Sequence, residues 1–492
     1  MLQIQKLSKQ YGTKEVLNNI DLTVYDGERI AIIGSNGQGK TTLANIICGK
    51  EQADSGKIVS NDKIGYLPQT PYITKHQFEE LARDFVLYNE FLKYASLMQL
   101  DMYELNNFEK ISGGEKTKIG LCLALCNNPQ ILILDEPTNH LDINGKQILT
   151  NFILSSNLTI IVISHDIDFI NNIADKIWEL KNGTITEYYG NYNNYIEQKE
   201  NKNQNIEKQY QKQQKRLNEL EKQIQNYKEA LKLSDKKKIA ANAKTGYLVQ
   251  DARSKSLSKF AAGKISQLKQ EMNKDIEKPE KQHKITYKLQ KDDIKTKVAL
   301  TAKNLCKRIG NRVLFENANF DIYSKDKVGI VGANGTGKTT LLNILLGKTD
   351  FEGELFVTPS VKPVFMQQDI YDLDENETIN TLSQKEDKNY RTSFITNLIS
   401  MNIDKSRFDT KIKNLSSGER MRIKLTQIIL SDANLIILDE PTNHLDIENK
   451  DYLQQILKGF AGTVIIVSHD KNFLSNTTNK TLKIEDKQIF SC

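Results

Sequence analysis

Continuous apolar runs of four or five residues recur along the chain in two matching sets. Residues 30–33, 131–134 and 159–163 form the first, and residues 328–331, 435–438 and 464–467 form the second. Runs without polar alternation suit strands covered on both faces, as in a parallel sheet flanked by helices. The runs at 30–33 and 328–331 each feed a Gly-rich turn, after which residues 43–48 and 341–346 read as helices. Between the two sets the pattern changes. Leu217, Leu220, Ile224, Tyr227 and Leu231 follow a 3-4-3-4 spacing, and Leu257, Ala261, Ile265, Leu268 and Met272 give a second seam. Such seams mark helices that pack along one stripe. The polar stretch 234–256 between them, which contains Gly246, predicts a tip loop and hence an antiparallel helical hairpin. An arm from about Tyr195 to Leu233 would extend roughly 55 Å at ~1.5 Å per residue.

The two apolar sets belong to an internal repeat. Gly34-Ser35-Asn36-Gly37-Gln38-Gly39-Lys40-Thr41-Thr42 recurs as Gly332-Ala333-Asn334-Gly335-Thr336-Gly337-Lys338-Thr339-Thr340, at an offset of 298. Leu134-Asp135-Glu136-Pro137-Thr138-Asn139-His140-Leu141-Asp142 recurs at 438–446, at an offset of 304. A period this long means two copies of a domain. The expected organisation is α/β: a domain at 1–189, a helical-hairpin linker at 190–297 with its tip near 234–256, and a second domain at 298–492.

Net charge is +6 over 492 residues, but residues 191–300 carry 26 Lys+Arg against 14 Asp+Glu, so the remainder is acidic. Residues 231–264 hold nine Lys+Arg and two Asp+Glu. A basic end on a long arm suits RNA phosphates, although a charge run is also an ordinary solvated face. Lys244 and Arg253 flank the apolar triplet Tyr247-Leu248-Val249, which suits either a wedge among bases or local packing of the loop. The N-terminus has no signal-peptide pattern, and no window approaches the ~18 apolar residues of a membrane span. Five cysteines (Cys48, Cys122, Cys126, Cys306, Cys492) match no zinc or disulfide pattern. Cys122 and Cys126, one helical turn apart, read as core. A reducing cytoplasm fits this usage.

G-x-x-x-x-G-K-[ST] between a strand and a helix is a phosphate-binding loop. Its glycines (Gly34, Gly37, Gly39 and Gly332, Gly335, Gly337), with Asn36 and Asn334, let backbone N–H groups converge on phosphate oxygens at a helix N-terminus. Lys40 and Lys338 would reach the β- and γ-phosphates. Thr41 and Thr339 would ligate Mg²⁺, with Thr42 and Thr340 beside them. Asp135 and Asp439 end apolar strands and suit the Mg²⁺ shell. Glu136 and Glu440, one residue on, are placed to polarise an attacking water. ATP at two sites, each with Mg²⁺, is the expected ligand.

Ile111-Ser112-Gly113-Gly114-Glu115 and Leu415-Ser416-Ser417-Gly418-Glu419 resemble the signature loop of ABC-type ATPases. Gln69 resembles the Q-loop glutamine, which would join the Mg²⁺ shell, and Gln368 is its match in the second copy. His165 and His469, each in Ser-His-Asp, resemble the switch histidine, and Tyr11 the aromatic that stacks on adenine. The resemblance implies a monomer whose domains pair head to tail, Lys40 facing the second signature and Lys338 the first. Each site is then completed only on closure. Two positions depart from the pattern: Ile309 stands where Tyr11 stands in the first copy, and Ser417 replaces a signature glycine.

Glu-Pro-Thr-Asn-His-Leu-Asp in both copies resembles the ABC-F family, as do tandem ATPase domains on one chain, the charged helical linker and the lack of membrane spans. Only 43 positions separate Gln69 from Ser112, leaving little room for the inserted arm of several housekeeping members, and 23 residues follow His469. With the long linker, these features are similar to the resistance ABC-F proteins linked to lincosamides, streptogramin A and pleuromutilins. That resemblance implies a cytoplasmic, ribosome-associated ATPase. Its partners would be the bacterial 70S ribosome, at 23S rRNA in the exit-site region, and peptidyl-tRNA. It would act by ribosome protection. A housekeeping translation ATPase, the ATPase half of an exporter and a DNA-maintenance ATPase are the alternatives.

Overall fold

The computed structural model describes every residue except 72–77, 79–80, 101–110, 140, 246–258, 261, 264–265, 267–295, 311, 367–372, 385–386, 402, 444 and 492. The chain divides into two compact units, Met1–Tyr195 with Lys284–Cys492, and Ile196–His283. Both copies of the repeat lie in the first unit.

Each copy carries a small antiparallel layer and a larger sheet. In the first copy the layer joins β1 (Leu2–Tyr11), β2 (Lys14–Val24) and β4 (Ser55–Val59) in the order β2-β1-β4. The apolar pattern does not reveal this layer. Register shifts follow Ile4 and Leu7, with Lys6 and Asn19 at positive φ, and such bulges break the period of two.

The larger sheet has β3 (Arg29–Ile33), β6 (Ile131–Asp135) and β7 (Thr159–Ile163) at its middle. Around them lie β5 (Ile64–Leu67), β8 (Lys176–Lys181) and β9 (Thr184–Tyr189), in the order β5-β6-β7-β3-β8-β9. Every residue of β6 and β7 is buried, which is why these segments show no polar alternation. The pairing is parallel from β5 to β8, with Ile30 opposite Ile161 and Ile131 opposite Thr159. Only β9 runs antiparallel, at the edge. The carboxyl ends of β3, β6 and β7 therefore open on one side, where α/β sheets bind ligands. Helix α1 (Lys40–Ile47) packs Leu43, Ala44 and Ile47 on a core that includes the fully buried Trp178.

The second copy repeats the plan. Its layer joins β10 (Val298–Ile309), β11 (Arg312–Tyr323) and β13 (Glu352–Val357), with β10 in the centre. Its sheet contains β12 (Lys327–Gly332), β14 (Pro363–Met366), β15 (Leu435–Asp439), β16 (Thr463–Val467), β17 (Lys480–Glu485) and β18 (Gln488–Ser491). The order is β14-β15-β16-β12-β17-β18.

The linker begins with a helix at Tyr192–Thr245, 54 residues or about 80 Å long. It runs past Leu233 through part of the stretch expected to be the tip loop. Lys236, Lys237, Lys238, Ala240, Ala241 and Ala243 are good helix formers, and that propensity outweighs the polarity read as loop. At the helix start Tyr195 is buried and its hydroxyl donates to Glu179 at 2.9 Å. Lys244 lies on this helix, whereas Tyr247, Leu248, Val249 and Arg253, and all five residues of the second seam, fall outside the described residues. No described helix is long and apolar enough to cross a membrane. Cys122 and Cys126 are buried, and burial pushes their thiols up to about 12 and about 11, as expected of packing residues.

Candidate functional site

The Gly-rich loops leave β3 and β12 and enter helices at Lys40 and Lys338. Gly39 and Gly337 cap those helices at φ of 105° and 97°, a conformation strained for any residue with a side chain. A Cβ on Gly39 would also stand 2.3 Å from Val16 Cγ1. Lys40 is buried and donates to Gly34 O at 2.6 Å and Ser35 O at 3.1 Å. Lys338 makes the same two bonds, to Gly332 O and Ala333 O, each at 3.0 Å. Burial holds both ammonium groups below the ordinary lysine range, with nearby carboxylates opposing it.

At the end of β6, Thr41 Oγ1 donates to Asp135 Oδ2 at 2.7 Å. Burial raises the carboxyls of Asp135 and Asp439, and bonds from Thr41 and Thr339 oppose the rise. Asp439 Oδ1 and one oxygen of each of Glu136 and Glu440 are buried with no hydrogen-bond partner among the described residues. Carboxylates left short of partners beside a lysine and a threonine hydroxyl suit a divalent cation that brings phosphate oxygens with it. No group of three His, Cys, Asp or Glu among the described residues forms a protein-only metal site.

Glu136 and Glu440 take positive φ of 51° and 47°, which turns the chain off the strand ends. Their backbone N–H groups stay fixed to Ile163 O at 2.8 Å and Val467 O at 2.9 Å. Backbone held this way is a common feature of working sites. His165 Nε2 stands 3.4 Å from Glu136 Oε1 and 3.2 Å from Asn36 Oδ1. His469 Nε2 stands 3.5 Å from Glu440 Oε1 and 3.1 Å from Asn334 Oδ1. Burial pushes Glu136 up to about 8 and Glu440 up to about 7. Burial, assisted by Lys40 and Lys450, holds His165 well below the ordinary histidine value, and His469 is lowered to about 4. Each histidine is thus a neutral hydrogen-bonding group beside a carboxyl whose charge depends on what enters the site.

A cavity of about 610 Å³ opens beside Lys40, lined by Tyr11, Lys40, Thr41, Gln69, Glu136 and, from the second copy, Ser416. Lys40 therefore faces the second signature loop. Tyr11 is half exposed on the rim, its hydroxyl bonded to Glu51. In the second copy the corresponding Ile309 is exposed and offers no ring. Ser112 and Ser416 each cap a helix through a reciprocal capping box, with Glu115 and Glu419. Gly113 and Gly114 open the first helix, Ser417 and Gly418 the second. Replacing a glycine by Ser417 therefore leaves the helix start intact, while a Cβ on Gly418 would stand 2.2 Å from Asn449 Nδ2. Gln368 lies outside the described residues.

Several residues at the domain contact were not singled out from the motifs. Asp446 Oδ2 accepts from Asn36 N at 2.9 Å across the interface, and Glu448 Oε2 accepts from Ser35 Oγ at 3.2 Å. Lys450 Nζ donates to His165 O at 2.9 Å and to Asp470 Oδ2 at 2.9 Å. Its counterpart Lys146 donates to Asp166 Oδ2 at 2.6 Å. Both lysines, both histidines, Glu136 and Glu440 line one small polar cavity between the copies, of about 30 Å³. Reading residues 142–146 against 446–450 was the available signal, since the repeat places a lysine four residues after each Asp.

A family model described as ABC transporter matches residues 17–139 and 315–443, and a second with the same description matches 178–289. The chain is 33% identical to "Ribosome protection protein VmlR" of Bacillus subtilis (strain 168), over 99% of this chain and 87% of that protein. It is 31% identical to "Erythromycin resistance ATP-binding protein MsrA" of Staphylococcus epidermidis, over 96% and 95%. It is 30% identical to "ATP-binding protein Uup" of Buchnera aphidicola subsp. Schizaphis graminum, over 98% and 80%. Among solved structures, "RNase-L Inhibitor" matches with a TM-score of 0.63 at 18% identity, covering 99% of this chain and 90% of that one. An archaeal ribosome recycling factor, aABCE1, matches at 0.64 and 18%, covering 98% and 89%. These two likenesses concern the fold.

Proposed function

The chain belongs to the ABC-F family of ATPases, and from that premise we propose that it protects the ribosome from antibiotics. The observation that carries this reading is the 33% identity, over nearly the whole of both chains, to a relative named as a ribosome protection protein. The 31% identity to a relative named for erythromycin resistance supports it. The long helix Tyr192–Thr245, which carries the first part of the basic segment 231–264, supplies the reach.

In this reading two ATP molecules, each with Mg²⁺, close the paired domains. Lys40 and Lys338 would hold phosphates, and Thr41, Asp135, Gln69 and their counterparts Thr339, Asp439 and Gln368 would hold Mg²⁺, which would neutralise phosphate charge. Glu136 and Glu440 accept a proton from the attacking water, while His165 and His469 keep water and carboxylate aligned. The closed form docks at the exit-tRNA site of the bacterial 70S ribosome, in the cytoplasm, against 23S rRNA. The linker, with Lys244, Tyr247, Leu248, Val249 and Arg253 near its tip, displaces peptidyl-tRNA and reaches the peptidyl-transferase region. Lincosamide, streptogramin A or pleuromutilin then leaves. Hydrolysis reopens the domains and frees the factor.

Cell-free translation with purified protein, titrated against a lincosamide, a pleuromutilin and a macrolide, tests the proposal. The expected result is rescue at drug concentrations that stop the reaction without the protein. Failure to rescue against all three, with binding to 70S particles intact, moves the assignment to a housekeeping translation ATPase. The 30% identity to Uup is the observation that favours that second reading.

A further inference from the structure

The interface is built unequally around its two phosphate-binding loops, the Walker loops at Gly34–Lys40 and Gly332–Lys338. Three consecutive residues of the second copy, Glu448, Asn449 and Lys450, all serve the site at Lys40. Glu448 accepts from Ser35 Oγ of the first Walker loop. Asn449 donates to Asp446 Oδ1 at 2.6 Å and accepts from Arg422 Nε at 2.9 Å. It also packs against Gly418 in the signature helix. Asp446 in turn holds Asn36 N of the first Walker loop. Lys450 reaches the backbone carbonyl of His165. Walker loop, signature helix and switch histidine of one site are thus joined through a single tripeptide.

The equivalent tripeptide in the first copy is Asn144-Gly145-Lys146, which follows Asp142. Asn144 has no carboxylate, and Ala333, at the position of Ser35, has no hydroxyl to offer one. Gly145 has no side chain to tie a signature helix to Asp142. This difference is written in the residues themselves.

We propose that Glu448-Asn449-Lys450 is a latch that makes the Lys40 site the slow-releasing one, so that the Lys338 site opens first in each cycle. These are positioning residues, acting through the Walker loop, the signature helix and His165. The inference rests on nucleotide binding at the two Walker loops and is independent of the ribosome reading.

The test uses the full chain with Glu136→Gln and Glu440→Gln, loaded with Mg²⁺ and a fluorescent N-methylanthraniloyl ATP and chased with unlabelled ATP. Two release phases are expected, and Lys40→Ala removes the slow one. Replacing Glu448 by Asn and Asn449 by Gly accelerates the slow phase about tenfold, as loss of a charge-assisted bond and a buried bond implies, and leaves the fast phase unchanged. Ser35→Ala reproduces the residue of the second copy without touching the helix packing. It accelerates the slow phase about two- to threefold and alone decides the matter should the double replacement fail to fold. The reciprocal graft, Asn144→Glu and Gly145→Asn together with Ala333→Ser, slows the fast phase. A Cβ on Gly145 would stand 3.3 Å from Asp142 Oδ1 and Leu141 Cδ2, so the graft requires these side chains to shift by a few tenths of an ångström. A single release phase in the parent, removal of the fast phase by Lys40→Ala, or equal acceleration of both phases by the replacements overturns the proposal.

Discussion

Replacing Lys450 by Met separates two effects that one side chain combines. Its ammonium lies 2.9 Å from His165 O in the other domain and 2.9 Å from Asp470 Oδ2 in its own. Side-chain exposure is 11% for Lys450 and 15% for Asp470, so solvent screens the pair weakly. When the domains separate, the bond to His165 is lost and the pair with Asp470 survives. The variant therefore weakens closure by one charge-assisted hydrogen bond, about 1.5–3 kcal/mol. That is roughly a 10- to 150-fold shift in the closing equilibrium, since ~1.4 kcal/mol is tenfold. Independently, it leaves Asp470 without its cation. Breaking a fully buried pair costs about 3–5 kcal/mol, but Asp470 still accepts from Phe473 N at 2.9 Å, which places the loss of domain stability at the lower end.

The double variant K450M/D470N distinguishes the two. Removing the stranded carboxylate restores much of the stability lost in urea, whereas the cross-domain bond remains absent. The assay is ATP-driven closure, followed by energy transfer between dyes on the two domains, together with urea melts. Both variants should need at least tenfold more ATP for half-closure, and only K450M should show the large loss of stability. Unchanged half-closure in both, or a closure defect repaired by D470N, refutes the reasoning.

Three further outcomes follow from the site and the core. Glu136→Gln with Glu440→Gln should bind ATP, hydrolyse it at least 100-fold more slowly and persist on 70S particles in pelleting assays; normal dissociation breaks the link between hydrolysis and release. Because burial pushes Glu440 up to about 7 and Glu136 up to about 8, and a base must be ionised to act, kcat/KM for ATP should fall as pH drops through that window. The histidines, held low, add no step there, and a profile flat from pH 6 to 9 contradicts the assignment. Trp178→Ala, which empties a fully buried site and leaves the exposed Glu187, the acceptor of Trp178 Nε1–H at 2.8 Å, to solvent, should cost about 3–5 kcal/mol in urea unfolding.

Much of this architecture is legible along the chain because its central strands are covered on both faces. Burial of every position from Ile131 to Asp135 and from Thr159 to Ile163 demands an uninterrupted apolar run, and such runs stand out. The Walker glycines are legible because few other residues take φ near 100° at a helix start. The antiparallel layer is hidden by its bulges, and the length of the linker helix by lysines that are polar yet favour helix. Lys450 escaped for another reason. Nothing local distinguishes a lysine that crosses a domain interface from one in solvent, and only the partner surface makes His165 O its acceptor.

The two sites agree where bonds are broken and differ where domains meet. Glu136 and Glu440 share left-handed φ values within a few degrees, 51° and 47°, and their distances to the histidines, 3.4 and 3.5 Å, are almost equal. The Walker lysines make the same pair of carbonyl bonds. The left-handed φ at each glutamate costs of order 1–3 kcal/mol and persists only where the surrounding structure holds it, so its presence in both copies marks two equally built carboxylate positions. Divergence instead falls at Ser35 against Ala333, where the serine hydroxyl reaches Glu448 of the facing domain, at Tyr11 against Ile309, where the tyrosine lies on the rim of the Lys40 cavity, and at Asn449 against Gly145, where the asparagine ties the signature helix to Asp446. On the latch proposal, order in the cycle arises from unequal opening of two sites with the same Lys, Glu and His arrangement. A device that must stay closed long enough to act on its target, and then let go, is served by one site that releases readily and one that does not.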